Sequence, residues 1–277
     1  MKSLYDIPAP AKLNLFLHIV GRRADGYHLL ESVFMLIDWC DTLHFDVRTD
    51  GQLSREDLSI QLPSDDLVLR AARALQKHTG TRLGAHIAIN KRIPSQAGMG
   101  GGSSDAASTL LALNRLWGLN LGLDALGALG LALGADVPFF LGGRNAWVSG
   151  IGEQLSPIKL PPAQFLVVKP TEGLETQLIF SHPDLKRDTE PAIISGFAAD
   201  AYGFGRNDLQ SVAQHICPGI SQALAWLSSS GLDGRMTGSG SAVFARTLHD
   251  MKIQAPPGFF VKQCNNLPAH PLDGWAT

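Results

Sequence analysis

The stretch from Arg92 to Trp117, R-I-P-S-Q-A-G-M-G-G-G-S-S-D-A-A-S-T-L-L-A-L-N-R-L-W, decides how the rest of this chain is read. Gly98, Gly100, Gly101 and Gly102 crowd into one short loop. A packed core gains nothing from them, because each costs backbone entropy on folding and brings no side chain to bury. Ser103, Ser104 and Asp105 follow as N-cap-type residues, and Ala106, Ala107, Leu110, Leu111, Leu113 and Trp117 then recur at helical spacing. A glycine-rich loop that feeds a helix N-terminus aims unpaired N–H groups and the positive end of the helix dipole at one spot, which suits a phosphate. The plainer reading is a flexible turn before an amphipathic helix. No lysine follows the glycines as a Walker A loop requires. Ser103 stands where a dinucleotide fingerprint needs its third glycine.

Upstream, Ala85, Ile87 and Ile89 mark the strand that enters the loop, and Asn90-Lys91-Arg92-Ile93-Pro94 makes a basic, proline-broken link between them. Asp65-Asp66 predicts the start of a helix running to about His78. Alternation through Leu43, Phe45 and Val47, and again through Leu58, Ile60 and Leu62, predicts further strands. The first strand covers Lys12 to Ile19, with Leu13, Leu15, Leu17 and Ile19 on one face and Lys12, Asn14, Phe16 and His18 on the other. A solvated outer face is the plain reading of that second set. Between these strands lies the charged turn Gly21 to His28.

Downstream, a second helix runs from Asp124 to Gly134, and Asp136 follows in G-A-D-V-P, where Pro138 prevents the helix from continuing. An isolated aspartate there is ordinarily a cap or turn residue. The glycine-rich crossing from Gly142 to Gly152 predicts a domain boundary, giving an N-terminal domain over 1–152 and a C-terminal one over 153–277. In the second half, Phe165 to Val168 reads as a strand. Helices are expected from Asn207 and over Ile220 to Leu227, and R-M-T-G-S-G-S-A-V-F-A from Arg235 forms a second glycine-serine loop that enters a strand. The polar stretch His182 to Gly205 carries little signal.

Composition sets the limits. A chain of 277 residues with 45% hydrophobic residues supports two cores, and a net charge of −2 argues against a nucleic-acid surface. The apolar run Ala125 to Ala135 falls short of the roughly 20 residues a membrane span requires. Asn14 and His18 interrupt the N-terminal apolar run, so it is not read as a signal peptide and a cytoplasmic protein is expected. Cys40, Cys217 and Cys264, odd in number and far apart, read as reduced structural thiols. The nine histidines show no metal-ligand spacing, and no protein metal site is assigned.

Taken together, P-A-K-L-N-L at Pro10 to Leu15, P-S-Q-A-G-M-G-G-G-S-S at Pro94 to Ser104 and T-G-S-G-S-A at Thr237 to Ala242 resemble the three ordered motifs of the GHMP small-molecule kinases. The resemblance spans nearly the whole chain. It implies a two-domain α+β fold with the active site in the cleft between domains, an N-terminal ATP-binding domain, and a C-terminal domain that contributes to substrate binding. It also implies ATP as phosphoryl donor, with Mg²⁺ on the nucleotide. The matching residues place Asn90, Lys91, Pro94, Gly98, Met99, Gly100, Gly101, Gly102, Ser103 and Ser104 around the nucleotide, Met99 replacing the usual leucine. Asp136 becomes the acceptor of the substrate hydroxyl proton and Lys12 its partner.

Within the superfamily, A-D-G-Y-H at Ala24 to His28 and G-A-D-V-P at Gly134 to Pro138 resemble the branch that phosphorylates cytidine diphosphate methylerythritol in the non-mevalonate route to isoprenoids. That branch implies Tyr27, His28 and Phe180 at the cytidine end of the substrate, with Asn14, Thr237, Gly238 and Ser239 around the reacting end. A mevalonate- or homoserine-type kinase is one alternative, and a relative that only senses a nucleotide is another. Retention of Lys12 and Asp136 argues against the sensor, and the Gly26-Tyr27-His28 turn argues against a small aliphatic alcohol.

Overall fold

The computed structural model describes residues 2–249 and 255–276. Its frame is a long antiparallel hairpin, strand β1 (Ser3–Arg22) with strand β2 (His28–Arg48), closed by the turn at 23–27. The register slips between Pro10 and Lys12 and again between Asn14 and Leu17. Such bulges release backbone groups from the ladder and re-aim side chains. The released groups are used: Lys12 N–H donates to the Met99 carbonyl at 3.0 Å, and Leu17 N–H to that of Arg206 at 2.9 Å. Both faces of the strand are therefore covered. Residues 11 to 19 are all buried, and the expected solvated face does not exist.

The first sheet continues through strands β3 (Leu53–Asp57), β4 (Gly84–Asn90), β5 (Ala146–Ser149) and β6 (Gln154–Pro157), in the order β3-β4-β2-β5-β6 with β1 also on β2. Four helices cover one face: α1 (Leu67–Thr79), α2 (Gly101–Leu116), α3 (Leu123–Leu133) and α4 (Val137–Gly142). Helix α1 illustrates the local logic. Asp66 caps its N-terminus through a 3.1 Å bond from Leu69 N–H, Gly80 ends it in the left-handed region, and Val68, Leu69, Ala71, Ala72 and Leu75 form the buried stripe. No strand forms over Leu58 to Leu62, contrary to the alternation. Asp57 accepts from Leu62 N–H at 3.0 Å and Arg55 donates to the Leu62 carbonyl at 3.1 Å, which closes a turn and leaves Leu58 and Ile60 exposed.

The second sheet has the order β10-β7-β9-β8, from β7 (Gln164–Pro170), β8 (Gly234–Met236), β9 (Val243–Thr247) and β10 (Phe259–Asn265). Short helices α5 (Thr176–Phe180) and α6 (Ile194–Ala199) precede α7 (Gln210–Ile216) and α8 (Pro218–Ser229), and the last two share a core with this sheet. A separate apolar cluster joins Leu13, Leu15 and Phe16 of β1 and Val33, Met35 and Ile37 of β2 to Phe165, Val167 and Phe244 of the second sheet. The expected boundary at 152/153 falls inside the β5–β6 hairpin, so the first sheet ends at Pro157 instead. The C-terminal tail also returns to the first half, where Leu267 N–H donates to the Leu36 carbonyl at 2.8 Å and Leu272 enters the first core.

Candidate active site

A cleft of about 850 Å³ opens between the two sheets, and both glycine loops border it. Helix α2 begins earlier than its serines predict. Gly100, at φ 70°, is the N-cap residue, and Ser104 N–H already donates to its carbonyl at 2.9 Å. Ser103, Ser104 and Asp105 therefore lie inside the helix, and no side chain caps its first turn. The terminal amides and the helix dipole are left for an anion in the cleft, which Pro94, Gly98, Met99, Gly100, Gly101, Gly102 and Ser103 all line. The glycines meet different constraints. A Cβ at Gly98 would lie 2.2 Å from the Thr237 carbonyl oxygen, so the two loops touch through bare backbone. At Gly100 the close neighbours are the Phe140 ring at 3.0 Å and Lys12, while Gly102 is exposed.

The two catalytic candidates are brought together. The bulge in β1 turns Lys12 into the cleft, and its Nζ stands 3.6 Å from Asp136 Oδ2, donates to Asn14 Oδ1 at 2.5 Å and lies 4.5 Å over the Phe34 ring. Lys12 is 4% exposed and Asp136 31%. Burial lowers the pKa of Lys12 from the ordinary lysine value, and Asp136 opposes that shift. Pro138 does not end helical structure here; it sits in the first turn of α4, and Asp136 is the residue before that helix. The Asp136 side chain caps nothing, so its carboxylate is available to the cleft.

Asn14 is held on both sides. Its Nδ2 donates to Ser32 Oγ at 2.9 Å and its backbone N–H donates to Thr237 Oγ1 at 2.9 Å. Thr237 is thus a buried strut between the loops, while Gly238 and Ser239 line the cleft. Ser239 Oγ meets Thr176 Oγ1 at 2.6 Å. Phe180, at the end of α5, lines the same cleft, and the ring of His28 lies 5.1 Å from it. Tyr27 is 61% exposed on the hairpin turn and does not line the cleft.

Lys91, expected beside the nucleotide, lines the cleft next to Gly101, with its ammonium tied into an acidic cluster. Its Nζ donates to Asp41 Oδ2 and to Asp105 Oδ2, the latter at 2.5 Å. Burial alone would lower its pKa, but Asp105 and Asp41 together raise it. Burial, opposed by Lys91 and reinforced by Asp41, pushes Asp105 up to about 8. Asp41 Oδ1 also accepts the N–H groups of Arg92 and Ile93, fixing the entry to the glycine loop. Asn90 ends β4 outside the cleft lining, and Ser104 is fully buried with an unpartnered hydroxyl. Sequence reasoning missed Asp41, Asp105 and Ser32. Only Asp105 left a trace, as a carboxylate directly after the serine pair.

Among the described residues no helix is long and apolar enough to cross a membrane, and no group of three or more His, Cys, Asp or Glu could hold a metal ion. Residues 66–144 match the family described as GHMP kinases N terminal domain, and residues 190–255 match GHMP kinases C terminal. A protein of Albidiferax ferrireducens named 4-diphosphocytidyl-2-C-methyl-D-erythritol kinase is 73% identical over 277 residues, covering 100% of this chain and 96% of that one. The crystal structure of a 4-(cytidine 5'-diphospho)-2C-methyl-D-erythritol kinase superimposes with TM-score 0.74 at 36% identity, covering 89% of this chain and 90% of the other. Homoserine kinase from Cytophaga hutchinsonii reaches TM-score 0.72 at 14% identity over 98% and 96% of the two chains, a likeness of fold alone.

Proposed function

This chain belongs to the GHMP kinases and, within them, to the 4-diphosphocytidyl-2-C-methyl-D-erythritol kinase family, and from that membership we propose how its cleft works. It is an ATP-dependent small-molecule kinase. The γ-phosphoryl group of ATP goes to the 2-hydroxyl of 4-diphosphocytidyl-2-C-methyl-D-erythritol, leaving the 2-phosphate and ADP. We read it as a cytoplasmic enzyme whose partners are these two small molecules.

The observation that carries the mechanism is the Lys12–Asp136 ion pair set beside the uncapped N-terminus of α2 in one cleft. Asp136 accepts the proton of the attacking hydroxyl, and Lys12, anchored on Asn14, orients the carboxylate and the hydroxyl. The α2 amides receive the nucleotide phosphates, so catalysis is chiefly positioning and electrostatic stabilisation. Mg²⁺, if bound with the nucleotide, would neutralise charge on the phosphates. An ion here would take its oxygens chiefly from phosphate and water; the one unpartnered buried oxygen among the cleft-lining residues described is Asp105 Oδ1, whereas the Ser104 hydroxyl is fully buried away from the cleft.

Tyr27, His28 and Phe180 form the cytidine-binding wall, with Tyr27 folding onto the base from its exposed turn. Stacking a base on an aromatic side chain is worth about 1–3 kcal/mol, so Tyr27→Ala is expected to lower kcat/KM for the cytidine substrate by roughly 5- to 150-fold. The ATP KM stays unchanged, and the melting temperature changes little, because Tyr27 is 61% exposed. An equal rise in both KM values together with a lowered melting temperature would assign Tyr27 to packing.

The substrate assignment is tested by supplying ATP with cytidine diphosphate methylerythritol, mevalonate or homoserine in parallel. Turnover is expected with the first. Preference for either aliphatic alcohol would overturn the assignment, and absence of ATP consumption with all three would point to the sensor.

A further inference from the structure

The segment from His182 to Gly205 carries no motif, yet it straps the hairpin end, with Thr189 N–H donating to the Ile19 carbonyl at 3.0 Å and Ala192 N–H to Glu31 Oε2 at 2.6 Å. Arg187 lies on this strap and reaches back to the hairpin turn. Its Nε donates to His28 Nε2 at 3.0 Å. Its Nη1 donates to the Leu185 carbonyl at 2.9 Å, and its Nη2 to the carbonyls of His182 at 2.8 Å and Phe180 at 3.3 Å. One guanidinium therefore ties the end of α5, which presents Phe180 to the cleft, to the imidazole of His28. The Phe180 and His28 rings stand 5.1 Å apart with their planes inclined at 39°.

The chemistry of this contact is one-sided. A guanidinium has only donors, so His28 Nε2 must be the acceptor, and a neutral ring that accepts at Nε2 carries its proton on Nδ1. An imidazolium would set an N–H against an N–H and would face two cations, Arg187 and Arg22. Burial, then Arg187, then Arg22 lower the His28 pKa, in agreement with that geometry.

We propose that Arg187 is a positioning residue of the base-binding wall: it fixes His28 as the neutral Nδ1–H tautomer and holds Phe180 beside it. This rests on the reading of the cleft as a cytidine-substrate site. With Arg187 in place the wall stays neutral to lower pH than an unrestrained histidine would allow. Without it, His28 is free to take either tautomer and protonates more readily than in the parent, although burial and Arg22 still lower its pKa.

The tautomer is read directly from long-range proton–nitrogen spectra of the ¹⁵N-labelled full chain, with His28 assigned by loss of its signals in His28→Gln. A bare Nε2 and a protonated Nδ1, both persisting to pH 6, are expected. A proton on Nε2, or an imidazolium at pH 7, overturns the proposal without reference to any variant's folding. Kinetically, Arg187→Met, which keeps the aliphatic reach but removes the donors, is expected to raise KM for the cytidine substrate about tenfold and to make it rise further as pH falls, more steeply than in the parent. The ATP KM should stay within about twofold. An unchanged cytidine-substrate KM, or equal rises in both, also overturns it. If the parent enzyme does not turn over the cytidine substrate, the functional reading fails on its own, and the spectra still decide the tautomer.

Discussion

Asp136→Asn is expected to lower kcat by about 10²–10⁴-fold, the usual worth of a positioned general base. The substitution keeps the shape of the side chain and removes its ability to take a proton. Two features make it a clean test. Asp136 precedes α4 without bonding any of its amides, so asparagine costs no cap, and it is 31% exposed, so the change leaves no buried unsatisfied group. The proposed nucleotide site uses the backbone amides at the start of α2 and not the Asp136 carboxylate, so ATP affinity should be unchanged. An effect confined to kcat marks an interaction made in the transition state. Were kcat to stay within about threefold of the parent, Asp136 would be a turn residue and the base would have to be sought elsewhere.

Much of this site was legible because its parts follow local rules. Glycines that need a left-handed φ or a close backbone approach leave a mark in any sequence, and Gly98, Gly100 and Gly238 mark both loops. Helices α1 and α8 and strands β4 and β7 were likewise visible in their apolar periodicity. What stayed hidden depends on long-range pairing. Lys12 looked like a residue on a solvated strand face because period-two alternation cannot reveal two bulges or a second sheet packed across the strand. The tie of Lys91 to Asp41 was invisible because the two lie 50 residues apart in the chain.

The strap makes the same point from the other side. Arg187, Thr189 and Ala192 form no regular element, and their partners His28, Ile19 and Glu31 lie more than 150 residues upstream. A segment that pairs through scattered side chains and single backbone bonds has no period to detect. The misplaced boundary at 152/153 has a related cause. Gly150 and Gly152 are turn glycines with positive φ inside a two-strand hairpin, and glycine density alone does not distinguish a hairpin turn from a linker.

Lys12→Met is expected to lower kcat by about 10²–10³-fold, the range seen when one preorganised electrostatic donor is removed from a reaction centre. Methionine has a similar length and no charge, so the space under Phe34 stays filled while the link to Asn14 and Asp136 is lost. The pH profile separates this role from a packing role. Burial sets the Lys12 pKa below the ordinary 10.5, so the parent's kcat should fall on the alkaline side at a pH below the usual lysine range. That limb should be absent from the variant. Stability carries the opposite sign. The unfolded chain holds the Lys12 proton up to the ordinary lysine pKa and the folded chain releases it earlier, so Lys12 makes the parent gain stability as pH rises through the window between the two values. Below that window a buried ammonium opposes folding, and Lys12→Met should therefore melt no lower than the parent at neutral pH while being far slower. A variant that loses melting temperature and activity together, or one that keeps the alkaline limb, would make Lys12 a structural residue and remove it from the catalytic pair.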